Sequence, residues 1–333
     1  MLSHQKIQVY KRMQRKTLFW LAVIGVVLII LLVLVIGIYK TDYATNDNTF
    51  VAANGASHDT TGGSSNPGPE KKSFQVGDHA LLIIKGHGSD VNVHAGTAGT
   101  MTIVARKHGS PDQGPDANDT RVLYDQGTDA QGHDKITIDT DPAFKDLDYD
   151  VTAPANALLQ VEINNGSVAV QGISGANVDT SSGSLDVEDI RGPVTVHTES
   201  GDITARNING QMSMDAGSGS IHITNVQGQL QALTRSGDVI VRSGALQGQT
   251  TLKTDSGSVR FDGSMDGRGS YKMATNSGDV DVTLPDNAAF QLRASTGSGT
   301  IHNEFGGNQV GSAPQAQITV NIGSGSVNVD KKP

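Results

Sequence analysis

Residues 190–207, IRGPVTVHTESGDITARN, contain the repeated unit that decides the fold of this chain. At its centre is a short phrase, a small polar residue, Gly, then Ser, Asp or Thr, then an apolar residue. The phrase occurs nine times, at Gly166, Gly183, Gly201, Gly219, Gly237, Gly257, Gly278, Gly299 and Gly325. Its glycines are 17, 18, 18, 18, 20, 21, 21 and 26 residues apart. A unit this short cannot bury a core alone, so it must stack on its neighbours as in a solenoid.

The residues around each phrase alternate as in β-strands. Val194, Val196 and Thr198 point to one face, and Ile203 and Ala205 resume that face after the Ser-Gly corner. A second corner is marked by an apolar residue two positions before a Gly, at Ile173, Ile190, Ile208, Val226, Leu246 and Met265. We expect Gly at both corners to supply a positive φ. Residues 158–333 therefore predict an all-β domain, a parallel β-helix or solenoid of about nine coils.

The residues before the repeats divide into two parts. Residues 73–157 show strand-like alternation at irregular spacing, which predicts an irregular N-terminal β cap. Residues 40–72 are rich in Gly, Ser, Thr, Asn and Asp and predict a disordered linker. At the other end, Lys331, Lys332 and Pro333 are expected to blunt the last exposed edge of the stack against further pairing.

An uncharged apolar segment lies near the start of the chain. Residues 18–39 would span roughly 33 Å as a helix, which predicts one N-terminal transmembrane α-helix. Residues 1–17 carry five basic and no acidic side chains, so they form a cytoplasmic basic segment and the C-terminal domain is extracytoplasmic. The alternative is a cleavable signal peptide, whose apolar core is normally about 7 to 15 residues. We expect a single-pass protein of the cell membrane.

Charge and composition limit the function. After position 40 there are 34 acidic and 19 basic residues, a net charge of −15, so we expect no nucleic-acid binding. The chain has no Cys, which excludes a disulfide framework and thiol catalysis. Aromatic residues make up 4% of the chain, and Phe261, Tyr271 and Phe290 have core parity, so the exposed aromatic platforms typical of sugar binding are not predicted.

Three features together carry a family resemblance. They are the Ser-Gly-Asp/Ser-Ile/Val phrase, the Val-Thr-x-Pro segment at Val151–Pro154, and the single N-terminal transmembrane helix. In this combination the chain resembles the bacterial DUF4097-type adhesin family over about residues 73–330. The resemblance implies a β-helical extracytoplasmic domain with a role in adhesion or envelope function, and it carries over no catalytic residues.

Polar side chains near the corners are candidate metal ligands or catalytic groups. Asp202, Asp238 and Asp279 follow their glycines in alternate coils and would lie about 10 Å apart, too far to share one Ca²⁺ or to act as a retaining glycosidase pair. We expect them to cap backbone amides in turns. His222 and His302 are predicted to be about 19 Å apart and cannot share a zinc ion.

The sequence predicts surface positions for two histidines and buried positions for a column of threonines. His87 and His94 flank a strand of the cap, without a His-x-x-x-His or acidic partner pattern, and are interpreted as surface residues. A column of threonines has core parity and is predicted to point inward, with Thr–Thr hydrogen bonds along the ladder: Thr180, Thr198, Thr234, Thr254 and Thr275.

The sequence thus predicts no catalytic, cofactor-binding or metal-ligating residue and no cofactor. The expected function is a non-enzymatic, membrane-anchored cell-surface protein, an adhesin-like or envelope-scaffolding β-solenoid. Its expected partners are the cytoplasmic membrane and an unidentified protein or cell-wall polymer. Two alternatives stay open, an envelope-stress or signalling accessory protein and a glycan-active enzyme.

Overall fold

The computed structural model describes residues 69–109, 122–140 and 147–332, and the regular structure in these residues is all β. The first strands are β1 (Glu70–Gln75), β2 (Leu81–Gly88), β3 (Val91–Gly96), β4 (Thr100–Lys107), β5 (Val122–Thr128), β6 (Asp134–Thr140) and β7 (Leu147–Pro154). The repeats begin with β8 (Leu158–Asn165), β9 (Val168–Gln171), β10 (Gly175–Ser182), β11 (Leu185–Glu188), β12 (Val194–Ser200), β13 (Ile203–Asn209), β14 (Met212–Ser218) and β15 (Ile221–Gly228).

The remaining repeats complete the domain. They form β16 (Leu230–Ser236), β17 (Val239–Leu246), β18 (Gln249–Ser256), β19 (Val259–Met265), β20 (Ser270–Ser277) and β21 (Val280–Pro285). The last strands are β22 (Phe290–Ser298), β23 (Ile301–Asn303), β24 (Gln309–Val310), β25 (Ala316–Ser324) and β26 (Val327–Lys332).

The predicted N-terminal segments fall largely outside this description. Residues 1–17, the predicted helix 18–39 and the predicted linker as far as residue 68 lie outside the described residues. Among the residues that are described, no helix is long and apolar enough to cross a membrane. Strand β1 begins at Glu70, so the last residues assigned to the linker belong to a strand.

The strands form two sheets of 13 strands each. The first sheet has the order β1-β4-β7-β3-β9-β11-β13-β15-β17-β19-β21-β26-β23, and the second has the order β24-β22-β25-β20-β18-β16-β14-β12-β10-β8-β2-β6-β5. Each coil gives one strand to each sheet, as β12 and β13 do on either side of a Ser-Gly corner. The predicted all-β fold with parallel coils is confirmed.

The stack contains more coils than the sequence predicts. Strands β1, β4, β5 and β24 pair antiparallel, and eleven strands that run parallel to one another are left in each sheet. Nine of these coils lie between residues 158 and 332, as predicted. The other two, β2/β3 and β6/β7, lie in the region predicted as an irregular cap and continue the same parallel sheets. At about 4.8 Å per coil the stack is about 50 Å long.

The coils do not stack in chain order at either end. Coil β2/β3 lies between β6/β7 and β8/β9, and coil β25/β26 lies between β20/β21 and β22/β23. Strand β26, with Lys331 and Lys332, is therefore an inner strand paired with β21 and β23. The prediction that these lysines blunt the last edge is wrong, because the final strand of the chain is not the final strand of the sheet.

The Ser-Gly corner depends on glycine for two reasons. All nine glycines of the phrase have φ between +123° and +149°, a region that residues with a Cβ rarely adopt. In addition, a Cβ on Gly201 would lie 2.1 Å from the carbonyl oxygen of Gly183, and one on Gly219 would lie 2.0 Å from that of Gly201. The glycines thus form a column in direct backbone contact, and the predicted role of positive φ is confirmed at this corner.

The opposite corner turns by different means. Four of its positive φ values, between +54° and +58°, belong to non-glycine residues, Asp189, Asn207, Asn225 and Ser243. The side-chain nitrogen of Asn207 donates to Asp189 Oδ1 at 2.9 Å, and that of Asn225 donates to Asn207 Oδ1 at 2.7 Å. Short polar side chains that tolerate this conformation therefore form a hydrogen-bonded ladder along the stack.

The glycines of the opposite corner have mixed roles. Gly228 and Gly248 have positive φ as predicted, at +131° and +64°. Gly192 and Gly210 are not among the positive-φ residues, so the prediction is wrong there. These two are needed for close approach instead, because a Cβ on Gly210 would lie 2.3 Å from the carbonyl oxygen of Gly192.

The core lies between the two sheets and follows the predicted parity. The apolar residues after eight of the nine Ser-Gly corners are buried, as are the aromatic residues Phe261, Tyr271 and Phe290. The exception is Ile301, which is 47% exposed because β23 is the end strand of the first sheet. The Tyr271 hydroxyl donates to the carbonyl oxygens of Leu246 and Asp266 at 2.9 and 3.0 Å, and burial raises the pKa of Tyr271 to about 12. The apolar interior thus runs through the stack and satisfies its buried phenol.

The threonine column is buried as predicted, but its hydrogen bonds differ from the prediction. Thr254 Oγ1 donates to the carbonyl oxygen of Gly237 at 2.8 Å, and Thr275 Oγ1 donates to that of Gly257 at 2.8 Å. The predicted Thr–Thr bonds are wrong, because these hydroxyls lie within reach of the carbonyl of the preceding Ser-Gly corner. Thr198, Thr234, Thr254 and Thr275 therefore each connect their coil to the Ser-Gly corner of the preceding coil, whereas Thr180 donates to the carbonyl oxygens of Asn164 and Ser182.

Candidate functional site

A ladder of Asp and Ser side chains follows the Ser-Gly corners on the outside of the stack. Asp202 Oδ1 accepts from the backbone N–H of Ser220 at 2.7 Å, and Asp238 Oδ1 accepts from that of Ser258 at 2.8 Å. The hydroxyl of Ser220 in turn accepts from the N–H of Asp238 at 3.2 Å. These carboxylates cap backbone amides as expected, although the amide belongs to the neighbouring coil.

The ladder continues beyond the nine corners recognised in the sequence. Asp90 lies at the corner between β2 and β3, and its Oδ1 accepts from the N–H of Ser167 at 2.8 Å. The backbone N–H of Asp90 itself donates to Asp148 Oδ1 at 3.0 Å. Sequence reasoning missed this corner because Gly and Ser are exchanged in its phrase, Gly88-Ser89-Asp90-Val91. The signal that could have identified this corner was Asp90 directly before a run of alternating apolar residues.

A pocket opens beside Asp90 on the outer side of the first sheet. Its volume is about 340 Å³, and its lining includes Asp90, Asn92, Arg106, Asp148, Asp150, Ala169 and Asp186. Ala169 pairs with Asn92 on one side and with Asp186 on the other, so a small side chain lies between longer polar ones. That difference in side-chain length creates the depression.

Ion pairs occupy both walls of this pocket. On one side Asp150 contacts Arg106 Nη1 at 3.3 Å and His94 Nδ1 at 3.5 Å. On the other side Arg206 Nη2 contacts Asp186 at 2.7 Å, and this hydrogen bond raises the pKa of Arg206. These carboxylates are therefore engaged by cationic side chains, which lowers their capacity to hold a further cation.

One group at the pocket has the residue types of a metal site. Asp90, His108 and Asp148 each offer a ligand atom, and these atoms lie within 4.8 Å of one another. His108 Nδ1 is 2.7 Å from Asp148 Oδ1, and the same oxygen accepts the Asp90 amide. Carboxylate and imidazole suit a first-row divalent ion such as Zn²⁺. His108 and Asp148 bond each other and the Asp90 carboxylate accepts from the Ser167 amide, so the group also forms a hydrogen-bonded corner without a metal.

A second group of this kind lies near the other end of the first sheet. His302, Glu304 and Asp330 place their ligand atoms within 4.8 Å of one another. Glu304 Oε2 also accepts from the backbone N–H of Lys331 at 2.9 Å. Asp330 comes beside His302 because β26 pairs with β23, and sequence reasoning missed this group because it compared His302 only with His222.

The histidines weighed in the sequence are not brought together. His222 and His302 occupy the same outward column of the first sheet, as expected. They are five strands or about 24 Å apart rather than the predicted 19 Å, because β26 lies between β21 and β23. His94 contacts Asp150 and Thr152, whereas His87 lines a different pocket with Lys85 and Asp139. The expectation that the chain has no catalytic, cofactor-binding or metal-ligating residue stays a prediction.

Comparisons with known proteins place the described coils in a recognised group. A family model described as Toastrack DUF4097 matches residues 82–330, from strand β2 to strand β26. No curated protein matches the chain.

Two solved structures are similar to the chain. One is "a putative cell adhesion protein" from Clostridium sporogenes, with 12% identity over 79% of this chain and 100% of that one and a TM-score of 0.21. The other is "a putative adhesin" from Bacteroides fragilis, with 13% identity over 78% of this chain and 96% of that one and a TM-score of 0.38.

Proposed function

From the premise that this chain belongs to the Toastrack DUF4097 family, we propose that it is a non-enzymatic, membrane-anchored protein of the bacterial cell surface. It acts as an adhesin-like or envelope-scaffolding module that binds a protein or a cell-wall polymer. The observation that carries this proposal is the construction of the stack, in which eleven coils hold two long outer faces in fixed positions.

The stack is built for rigidity in every layer. Glycine carbonyls, threonine hydroxyls and Asp–Ser bonds connect each corner to the next, so adjacent coils have little freedom to separate. A binding surface whose side chains are held in place loses less conformational entropy when it binds. A long, rigid and solvated face therefore suits recognition of an extended partner.

The surface chemistry favours binding over catalysis. A general acid or nucleophile needs a carboxylate that is free to exchange a proton or attack. In the pocket, Asp150 and Asp186 are engaged by arginines and Asp90 caps a backbone amide. Asp148 with His108 is the pair that an enzyme would use, so it is the pair to test.

The membrane anchorage in this proposal rests on the sequence. Residues 18–39 are long enough to cross a bilayer, and the basic residues before them favour a cytoplasmic N-terminus. Protease added to intact protoplasts should then remove the C-terminal domain while residues 1–17 stay protected. Full protection of the C-terminal domain would contradict this topology.

The binding function is tested by cross-linking in intact cells. The full chain is compared with a chain in which a cleavable secretion signal replaces residues 1–39, and the cross-linked partners of each are identified. Partners on wall polymers or on other cells that survive removal of the helix support the adhesin-like function. Partners that are lost with the helix support the signalling alternative instead.

The enzyme alternative has its own measurement. The full chain is incubated with purified cell-wall polysaccharide and the release of reducing ends is followed. We expect no turnover, either by the natural chain or by the variant Asp148→Asn. Turnover that Asp148→Asn abolishes would overturn the proposal and identify the pair Asp148 and His108 as its chemistry.

A further inference from the structure

The second sheet separates its charges along the stack. Nine of its strands lie in the order β8-β10-β12-β14-β16-β18-β20-β25-β22 and turn alternate side chains to solvent. The first four each carry one exposed acidic residue, Glu162, Asp179, Glu199 and Asp215. Four of the other five each carry one exposed basic residue, Arg235, Lys253, Lys272 and Arg293. In these nine strands Asp255 is the one departure from this division.

The charged residues of the first sheet are arranged differently. Acidic and basic residues are interleaved there and paired, as in Arg206–Asp186 at 2.7 Å and Arg260–Asp281 at 3.3 Å. In the nine strands of the second sheet, the ion pairs are Lys253–Asp255 and the longer contact His197–Asp215 at 3.9 Å. The other charged residues of this face form no ion pair within the described part of the chain.

The separation has a cost for the isolated chain. Asp179 is directly opposite Glu162 in the parallel register of β10 and β8, and like charges in that position destabilise a sheet. Strand β8 lies eight steps from β22, roughly 38 Å, so Glu162 and Arg293 of one molecule cannot pair. Glu162 has Lys85 opposite it on β2, but the outermost acidic and basic residues of the nine strands can meet only across an interface with another molecule.

We propose that the outer face of the second sheet binds the same face of a second copy of this chain, with the two stacks antiparallel. A two-fold axis along β16 places β8 over β22, β12 over β20 and β14 over β18 of the second copy. Glu162 then faces the strand of Arg293, Glu199 that of Lys272, and Asp215 that of Lys253. Copies aligned the same way would place acid over acid, and their repulsion excludes that arrangement.

The residue at the centre of this face and the area of the face both suit the binding of a second copy of the chain. Leu233 is an outward, partly buried apolar side chain on β16, so the axis brings two copies of it together. Nine strands spaced by about 4.8 Å, with about five residues of each strand in contact, give roughly 700 Å² per copy. The total of roughly 1,400 Å² lies within the range of stable protein interfaces, about 1,200 to 2,000 Å².

Cysteine cross-linking tests the axis, because the natural chain has no Cys. Leu233→Cys is introduced into the full chain, and a short bismaleimide is added to membranes or detergent micelles at low salt. We expect a cross-linked dimer, at least tenfold more abundant than for Thr224→Cys, an exposed position on the first sheet. Equal yields from the two variants would overturn the proposal.

Charge reversal in the Leu233→Cys background tests the pairing. Lys272→Glu with Arg293→Glu should reduce the cross-linked fraction at least tenfold, as should 1 M salt, where the screening length is about 3 Å. Adding Glu162→Lys and Glu199→Lys should restore it. A thermal unfolding curve for each variant identifies any that fail to fold. A folded fourfold variant that stays monomeric would contradict the antiparallel arrangement, as would a reversed double variant that still dimerises.

Discussion

The two corners of each coil use different residues and different interactions to turn the chain. At the Ser-Gly corner, Gly201 has φ +149° and leaves no room for a Cβ beside Gly183. At the opposite corner, Asn207 has φ +55° and bonds to Asp189 through its side chain. The first corner is restricted to one residue type, whereas the second admits several. The corner with two constraints therefore leaves the more regular phrase in the sequence, at nine positions against six for the opposite corner.

The core residue directly after a Ser-Gly corner should give the largest effect. Ile221 follows Gly219 and is fully buried. Ile221→Asp removes its apolar contacts and buries a carboxylate without a partner, so we expect a loss of about 5 kcal/mol or failure to fold. His222→Ala, at the next and outward position, should change the free energy of unfolding by less than about 0.5 kcal/mol. Urea unfolding of both variants compares them, and similar losses would contradict the assigned parity.

Three glycine substitutions separate the two constraints on the Ser-Gly corner, the positive φ and the close approach of a neighbouring carbonyl. Gly219→Ala forces a residue with a Cβ into the positive-φ region and places that Cβ against the carbonyl oxygen of Gly201. We therefore expect the free energy of unfolding to fall by about 4 kcal/mol. Gly210→Ala, at the opposite corner, meets only the close approach, and we expect about 2 kcal/mol. Gly132→Ala meets only the positive φ, in open space, and we expect about 1 kcal/mol.

The same urea titration measures all three glycine variants. The comparison of corners requires the order Gly219, then Gly210, then Gly132 in the loss of unfolding free energy. If Gly219→Ala costs no more than Gly132→Ala, the backbone contact between neighbouring corners does not constrain the fold, and the account of the Ser-Gly column fails.

Substitutions in the threonine column should lower the free energy of unfolding less than Gly219→Ala does. Thr254 Oγ1 donates to the carbonyl oxygen of Gly237 at 2.8 Å in a buried position. Thr254→Val keeps the shape and removes this donor, so we expect a loss of about 2 kcal/mol. Thr254→Ser keeps the hydroxyl and removes a methyl group, with an expected loss of about 1 kcal/mol. A Val variant as stable as the natural chain would show that the bond contributes nothing.

The opposite corner should tolerate substitution best. Asn207→Ala removes two exposed ladder bonds and places Ala at φ +55°, so we expect a loss of about 1 kcal/mol. Asn207→Gly loses the same bonds but adopts this φ freely, and its stability should stay within about 0.5 kcal/mol of the natural chain. A loss at this corner as large as that of Gly219→Ala would remove the distinction between the corners.

Much of the fold could be predicted from the sequence because its constraints are local. The column of glycines, the inward parity of Ile203 and Ala205, and the buried threonines all follow from residues within one repeat. The positive φ of Asp189 and Asn207 was assigned to nearby glycines instead, because Asn and Asp occur in many turns and do not identify this conformation by themselves.

The order of the coils and the candidate site could not be predicted in the same way. The insertion of β25/β26 next to β20/β21 depends on which coil offers the better partner, and no residue within a repeat specifies that choice. The groups Asp90–His108–Asp148 and His302–Glu304–Asp330 depend on the pairing of β3 and β4 with β7 and of β23 with β26, which no motif within a single strand specifies. The charge separation of the second sheet was present in the sequence, but it becomes visible only when the strands are placed in their spatial order.

Distances between nitroxide labels test most directly the claim that parallel coils stack in this order. Single cysteines can be placed freely, because the chain has no Cys. Thr204, Asn328 and His302 lie in one outward column of the first sheet, on β13, β26 and β23. We expect about 24 Å from Thr204 to Asn328 and about 29 Å from Thr204 to His302, at 4.8 Å per coil. If the Thr204–His302 distance is the shorter of the two, the coils stack in chain order and the account is contradicted.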